Sequence, residues 1–358
     1  MSIIHMDNFS LYGGNTAFMV EGIYASANRC TLRDDPDGIS PGKVLRPSET
    51  GGNAPRQTWR YNNQNGAQAR CGVAMRVWMD VVPSINDPYA FIQLRDQNNE
   101  IIAVVNPNAD GSVTFATYES NFVDVIYSQR TEVPVLGAGG WYHMELLYDH
   151  VGATTANFEL RIEGVTVLEG EGIGCRAANT AIFSGGYYAT TDFFYFQIKD
   201  LVIWDGTGTD NTDFVGSVLV HTLKPIEDVA LNWAPTPAGP GYSILDNVPP
   251  DAGQYLDAAY PPPEAYVAET SKLPPDITSV KALMTFVRAA KSDGGDASLQ
   301  VSIISDPENA PATDAGADRP ITVAQTYWRD VSERDPKTNA PWTPAAVDKI
   351  NIAMDRTV

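Results

Sequence analysis

The sequence predicts a mostly β protein: a two-sheet antiparallel sandwich, then a smaller β-rich module with a short C-terminal helix. Three observations lead there. Apolar and polar residues alternate through WYHMELLYDH (141–150), NFELRIEGVTVLEGEG (157–172) and FFYFQIKDLVIWDG (193–206), the period of a half-buried strand. Turn-forming clusters recur roughly every 8–12 residues up to Gly206. Gly (29) and Pro (25) are frequent while charged residues make up only 19%, a composition suited to many short strands and tight turns.

The chain opens with two expected edge strands, Ile3 to Leu11 and Ala17 to Ile23. Residues 31–70 are polar and read as loops with short strands. CGVAMRVWMDVV (71–82) alternates until Pro83 stops it, and YAFIQLRD (89–96) and EIIAVVN (100–106) form a hairpin around Gln97-Asn98-Asn99. SVTFATY (112–118) and DVIYSQRTEV (124–133) continue the series. In the central block, Tyr142, Met144, Leu146 and Tyr148 share one face. Glu163-Gly164 marks a hairpin turn between Ile162 and Val165, because a tight turn needs positive φ. IFSGGYYA (182–189) precedes the last strand, in which Phe194, Phe196, Ile198, Leu201 and Ile203 dominate.

These elements assign residues 1–206 to the sandwich, 207–213 to a connector (GTGTDNT from Gly206) and 214–358 to the second module. FVGSVLVHTLKP (214–225) reads as a strand ended by Pro225. The proline-rich span 226–275 reads as extended loop held by contact, with Trp233, Tyr242, Tyr255, Tyr260 and Tyr266 pinning it, since proline gives no donor to a ladder. ITSVKALMTFVRAAK and ASLQVSII (297–304) read as a hairpin around SDGGD (292–296), and ITVAQTYWRDV (321–331) as a further strand. Thr343 as N-cap and Pro344 in the first turn open the closing helix.

Composition limits function. The net charge of −20 and pI near 4.4 oppose binding to a phosphate backbone, and no polybasic segment exists to hold an anionic membrane. No apolar run approaches the ~20 residues of a membrane span. MSIIHMDNFSLYGG has no signal-peptide pattern, so synthesis in a cytoplasm is expected. Cys30, Cys71 and Cys175 fit neither a disulfide framework nor a zinc motif; buried thiols are expected, with a Cys30–Cys71 bridge the alternative.

Two resemblances rest on particular residues. The strand around Arg76, the hairpin YAFIQLRDQNNEIIAVVN, GWYHMELLYD, LRIEGV and QIKDLVIWDG resemble the laminin-G/concanavalin-like jelly-roll sandwich. That fold serves lectins, glycan hydrolases and structural modules alike. VGSVLVHTLKP, Trp233, the Ser292-Asp293-Gly294-Gly295 turn, and Asp335-Pro336 with Pro341-Trp342-Thr343 and Ala345-Ala346-Val347 look like a module of tailed-bacteriophage virion proteins. The resemblance implies a virion structural protein, made in the host cytoplasm, whose partners are copies of itself (a trimer is expected) and other virion proteins. It leaves open a tail-associated or fibre-like protein contacting host glycans and a capsid-decorating protein.

Chemistry is harder to find. A glycan hydrolase needs two carboxylates about 5–10 Å apart. Glu145 and Asp149 share a strand face with His143, but such residues ordinarily form a solvated face. There is no G-x-S-x-G elbow, P-loop or dinucleotide fingerprint. No catalytic residue is assigned and a carbohydrate-active enzyme is the minor alternative. Flat aromatics suited to a sugar or a subunit contact are Trp59, Tyr61, Tyr187 and Tyr188. No cofactor is expected except, as an alternative to ordinary turn chemistry, a calcium ion among Asp34, Asp35 and Asp37 or among Asp205, Asp210 and Asp213.

Overall fold

The structure is a computed structural model. It describes the chain apart from residues 1–2, 14–16, 18, 20–23, 29, 37–41, 48–57, 63–65, 80–81, 83–89, 119–124, 185–187, 190–191, 194–195, 249–250, 260–261 and 293. The protein is mostly β, with several antiparallel sheets in a sandwich-like arrangement and a short helix near the C-terminus. It divides into two compact units: Met1–Phe9 with Gly14–Val220, and Ser10–Gly13 with His221–Val358.

The first unit holds an eight-stranded and a seven-stranded sheet. In space the larger runs Val165–Ile173, Thr155–Ile162, Trp141–His150, Arg70–Met79, Phe196–Asp205, Lys43–Pro47 and Cys30–Asp34, with Ile3–Asp7 also paired to Phe196–Asp205. The expected strand from Ile3 to Leu11 therefore stops at Asp7, and a single helical turn, Ser10–Tyr12, follows. The second expected edge strand lies largely outside the described residues. The hairpin between Ile162 and Val165 forms as predicted: Glu163 and Gly164 both have positive φ, 52° and 76°, the backbone that a two-residue turn demands.

Register explains the core. Met144, Leu146 and Tyr148 stand opposite Met75, Val73 and Cys71 on one side, and opposite Ile162, Leu160 and Phe158 on the other. All these side chains are buried. They meet the smaller sheet face to face, Phe115 stacking on Phe158 at 3.8 Å and Phe91 meeting Phe196 edge-on at 4.8 Å. The Phe196–Asp205 strand slips register between Lys199 and Val202, with Asp200 at φ 50°. This bulge moves Trp204 to the opposite face from the one period-two counting gives Phe196 and Ile198 plus even steps. A Cβ on Gly72 would lie 1.9 Å from the Trp204 ring, so a glycine is what admits the buried indole there.

The second unit corrects several expectations. Residues 214–224, of which 214–220 belong to the first unit, form no strand; pairing begins at Pro225–Ala230. The proline-rich span is not only loop. Tyr266–Thr270 is an inner strand between Pro225–Ala230 and Ile350–Arg356, and Tyr266 and Trp233 are core residues packed with Leu299, Val301 and Met354. Leu283–Ala289 and Ser298–Ser305 are strands, but they do not pair with each other. The first pairs with Thr326–Ser332, and the second joins a six-stranded sheet beside Ile350–Arg356. Residue 293 of the expected 292–296 turn lies outside the described residues, and the pairing that this turn implied does not form. Phe286 and Tyr327 receive the buried ring of Tyr12 edge-on.

The helix begins as the sequence predicts. Thr343 is extended (φ −109°, ψ 152°) and its hydroxyl accepts the Ala346 amide. It runs only from Pro344 to Val347 before the chain turns into the Ile350–Arg356 strand.

Candidate functional site

The site emerges on the polar face of the eight-stranded sheet. Three strands contribute a first row of side chains, Lys199, Arg76 and His143, which stand opposite one another in register. Two residues along, a second row on the same face is Gln197, Trp78 and Trp141. On the other flank of the first row, Glu145 stands opposite Ala74.

This face was expected to be solvated, as outward-pointing polar residues usually are. It is not. His143 is 3% exposed, Glu145 1%, Lys199 3% and Asp200 3%. The physical reason is the segment 206–220, which lies across the sheet without strand pairing. Its backbone needs donors and acceptors from elsewhere, and the face supplies them. Glu145 Oε1 accepts the Gly216 amide at 2.9 Å, Asp200 Oδ1 accepts the Val220 amide at 3.0 Å, and Arg70 Nε donates to the Thr212 carbonyl at 3.1 Å. Arg161 stacks on the Phe214 ring at 3.7 Å, and Asn8 donates to the Val220 carbonyl at 2.8 Å. Asp149, at the edge, pairs with Arg70 at 3.0 Å.

Next to this covered strip, Lys199 and Asp35 form a buried ion pair, and Trp141 Nε1 donates to the second Asp35 oxygen at 3.2 Å. The Lys199 ammonium sits 4.2 Å above the Trp141 ring, and Trp141 lies 5.7 Å from Trp78. Burial holds the His143 imidazole at about 4, helped by the Arg76 guanidinium and opposed by Glu163. It is therefore neutral at pH 7. Glu145 Oε2 lies 3.9 Å from His143 Nδ1, too long for a hydrogen bond.

The aspartates singled out for a cation have other partners. Asp34 pairs with Lys43 at 2.6 Å, Asp205 accepts the Thr207 amide and hydroxyl, Asp213 caps the Phe214 amide, and Asp210 lies 3.2 Å from the Thr209 hydroxyl. Asp37 lies outside the described residues. Among the described residues no three His, Cys, Asp or Glu side chains are gathered in a way that could hold a metal ion. All three cysteines are free and buried, so the Cys30–Cys71 bridge does not form. Burial pushes the Cys30 thiol up to about 12, and does the same for Cys71 with the Asp205 and Asp149 charges adding to it. Neither is a thiolate nucleophile at neutral pH.

Trp59, Tyr61 and Tyr188 lie on strands Thr58–Asn62 and Tyr188–Ala189. Their side chains, and Tyr187 altogether, lie outside the described residues, as does the Gly185-Gly186 pair. Trp78 and Trp141 were missed as site residues because their alternation looked like ordinary strand pattern. The signal that could have found them is Trp78 breaking the polar parity of CGVAMRVWMDVV.

In the second unit the polar clusters hold the chain. Asp228 accepts the Gly241 and Tyr242 amides and the Tyr266 hydroxyl. Burial raises the Tyr266 phenol above its usual range, and Asp228 raises it further. Asp335, 4% exposed, accepts the Lys337 amide and the Thr338 hydroxyl, while Trp342 donates to the Ser332 carbonyl.

No family model and no curated protein sequence matches the chain. Similar solved structures include the cellulose-induced protein Cip1, at 11% identity over 60% of this chain and 100% of that one, with a TM-score of 0.42. Another is an endo-β-1,4-glucuronan lyase from the fungus Trichoderma reesei, at 10% identity over 57% and 95%, TM-score 0.40. A third is a carbohydrate esterase from the Shiga toxin-encoding bacteriophage phi24B, at 12% identity over 56% and 99%, TM-score 0.37. The activities in those names belong to those proteins.

Proposed function

We propose that the chain is a structural component of a tailed-bacteriophage virion. It would be an exposed tail-associated or fibre-like protein with no reaction of its own. It assembles with copies of itself and with other virion proteins, and contacts host glycans.

The observation that carries this proposal is where the residues of the virion resemblance fall. Asp335, Pro341, Trp342, Thr343 and Val347 make one continuous piece of scaffold. Asp335 closes the turn through Lys337 and Thr338, Arg334 bridges to Pro341, Trp342 and Val347 fill a core with Ile303 and Ile350, and Thr343 caps the helix. These side chains serve architecture, which is what a particle-building module requires of them. On the first unit, the carboxylate best placed for acid–base work, Glu145, is bonded to a backbone amide beneath a covering segment. That favours a scaffold over a hydrolase, whose two carboxylates must both reach the scissile bond.

Gold-labelled antibody electron microscopy on intact particles of the encoding phage tests the proposal. Label at the tail tip or along fibres is the expected result. Even label over the head would make the protein a capsid decoration, and no label on any particle would overturn the virion role.

A further inference from the structure

The edge strand Pro225–Ala230 of the second unit sends its aliphatic side chains outward. Its register against Tyr266–Thr270 slips twice, between Pro225 and Glu227 and between Asp228 and Ala230. The extra residues at the two slips are Ile226 and Val229. A bulge leaves such a residue unpaired and re-aims it. Asp228 turns to the core side, where it holds the Tyr266 hydroxyl. Ile226, by contrast, is 44% exposed, Val229 56%, and Leu231 just past the strand 41%. Scattered single aliphatics are ordinary on a surface. Here the exposed pair are the unpaired residues of two neighbouring bulges, so the backbone itself presents them.

The same bulges restrict how a partner can bind. Proline, a charge and bulges on an edge all obstruct the addition of another strand, and Pro225, Glu227 and both slips stand together here. Contact is therefore made by side chains on the outer face of the sheet. One row of that face is small and uncharged: Ala230, Val267, Ala353, Ser302 and Ala315 stand opposite one another in register. Val267 and Ala353 are half-buried and Ala315 is exposed. The other face of these strands is the core of Tyr266, Leu299, Val301 and Met354.

Charge selects the partner. On the outer face the strands carry Glu227, Glu269 and Asp355. Glu227 stands directly opposite Glu269, an unfavourable pairing of like charges, and Lys272 pairs with Glu269 at 2.9 Å. Beyond the strands, Glu264 lies beside Trp233, and Asp306 is held by Lys337 with Lys349 also acting on its charge. Lys224 exchanges backbone hydrogen bonds with Ser271. The bulge at Ile226 therefore makes Lys224 and Glu227 successive outer positions, opposite Ser271 and Glu269. Both are exposed, and the Lys224 ammonium meets only a carbonyl, that of Asp246, at 3.0 Å. The strand thus carries one exposed cation and one exposed carboxylate, on either side of an exposed isoleucine. A second copy laid on it end for end meets that order reversed, cation on carboxylate.

We propose that this outer face is the surface on which two copies of the chain pair about a two-fold axis. Ile226 of one copy packs on Ile226 of the other, and Lys224 of each meets Glu227 of its partner. This names the surface for the contact between copies in the proposed function and rests on that part of it. It gives pairs of copies where the resemblance in sequence implied a trimer.

The test is sedimentation velocity of the full-length protein at micromolar concentration. The parent should sediment as a two-copy species. Ile226→Asp and Val229→Asp should each weaken pairing tenfold or more with the thermal melt unchanged. Should Ile226→Asp fail to fold, Ile226→Ser is the second variant, and a severalfold loss is expected. Glu227→Lys alone and Lys224→Glu alone should each weaken pairing tenfold or more. Their equimolar mixture should recover it, because each cation then meets a carboxylate of the other variant. A parent that is monomeric or trimeric, variants that pair like the parent, or a mixture that does not recover pairing would each overturn the proposal. A monomeric parent found on labelled particles would leave the virion role and give the face to another virion protein. Paired copies without labelled particles would leave the face and remove the virion role.

Discussion

Two segments of this protein lie largely outside the strands and are fastened by polar side chains, but they are fastened differently. Residues 206–220 in the first unit hang from Glu145, Asp200 and Arg70, which lie 71, 20 and 142 residues away in the chain from the amides and carbonyl they hold. The loop from Ser332 to Thr343 in the second unit is held from within. Asp335 bonds Lys337 and Thr338, its amide donates to Ala340, and Trp342 reaches back ten residues to Ser332. A local clamp can form as soon as its own residues meet. The distant clamp exists only once the sheet has assembled, and it fixes buried charges in place.

That difference should appear most strongly in acid. His143 is neutral in the fold down to about 4, against an ordinary 6.5. The unfolded chain therefore binds one more proton between those values, and the first unit loses stability as pH falls from 6.5 to about 4. The loss is on the order of 3 kcal/mol, and the stability is fully present above that window. The second unit's clamp behaves otherwise. Burial pushes against ionisation of Asp335, but hydrogen bonds from Ser305, Lys337 and Thr338 outweigh it and hold its carboxyl below the usual 3.8. Its contribution is present above 3.8 and lost only as pH falls further. Urea midpoints between pH 7.5 and 4 should fall for the parent and fall less for His143→Asn. An equal slope in both would assign the effect to another group.

A smaller effect is expected from Glu145→Leu. It leaves the Gly216 amide without its acceptor, which costs about 2 kcal/mol, and exchange of the amides in 212–220 should accelerate. Glu145→Gln keeps an acceptor and should change exchange far less. If both variants exchange alike, the carboxyl group is not what fastens the segment.

The smallest effect is at the local clamp's end. Thr343→Ala removes the hydroxyl that accepts the Ala346 amide and should cost about 1 kcal/mol, read from thermal melting. Thr343→Asn should restore most of it.

The same contrast separates what could be read in advance. Period-two alternation over 141–150 and 157–172 located the strands Trp141–His150, Thr155–Ile162 and Val165–Ile173 to within two residues, because each strand's own side chains decide which face is apolar. Glu163-Gly164 placed its turn, and Thr343-Pro344 its helix start, for equally local reasons. The partner of Leu283–Ala289 was misjudged because pairing in a sheet is chosen by distant strands competing for one edge. The central place of Tyr266–Thr270 was hidden for a related reason: surrounding prolines describe the loops beside a strand, not the strand.

The candidate site was less legible still. His143 and Glu145 were recognised as sharing a face, but alternation cannot say whether that face is wet. By itself the sequence determined the β class, the strands of the central block, the Glu163-Gly164 turn and the helix cap, since these depend on backbone preferences and on residues a few positions apart. Only the tertiary structure decided that a segment without strand pairing would cover Glu145, and that Arg76, His143, Trp78 and Trp141 would stand in adjacent rows. Strand register brings those residues together across the sheet, and register is a property of assembled strands that no single strand carries.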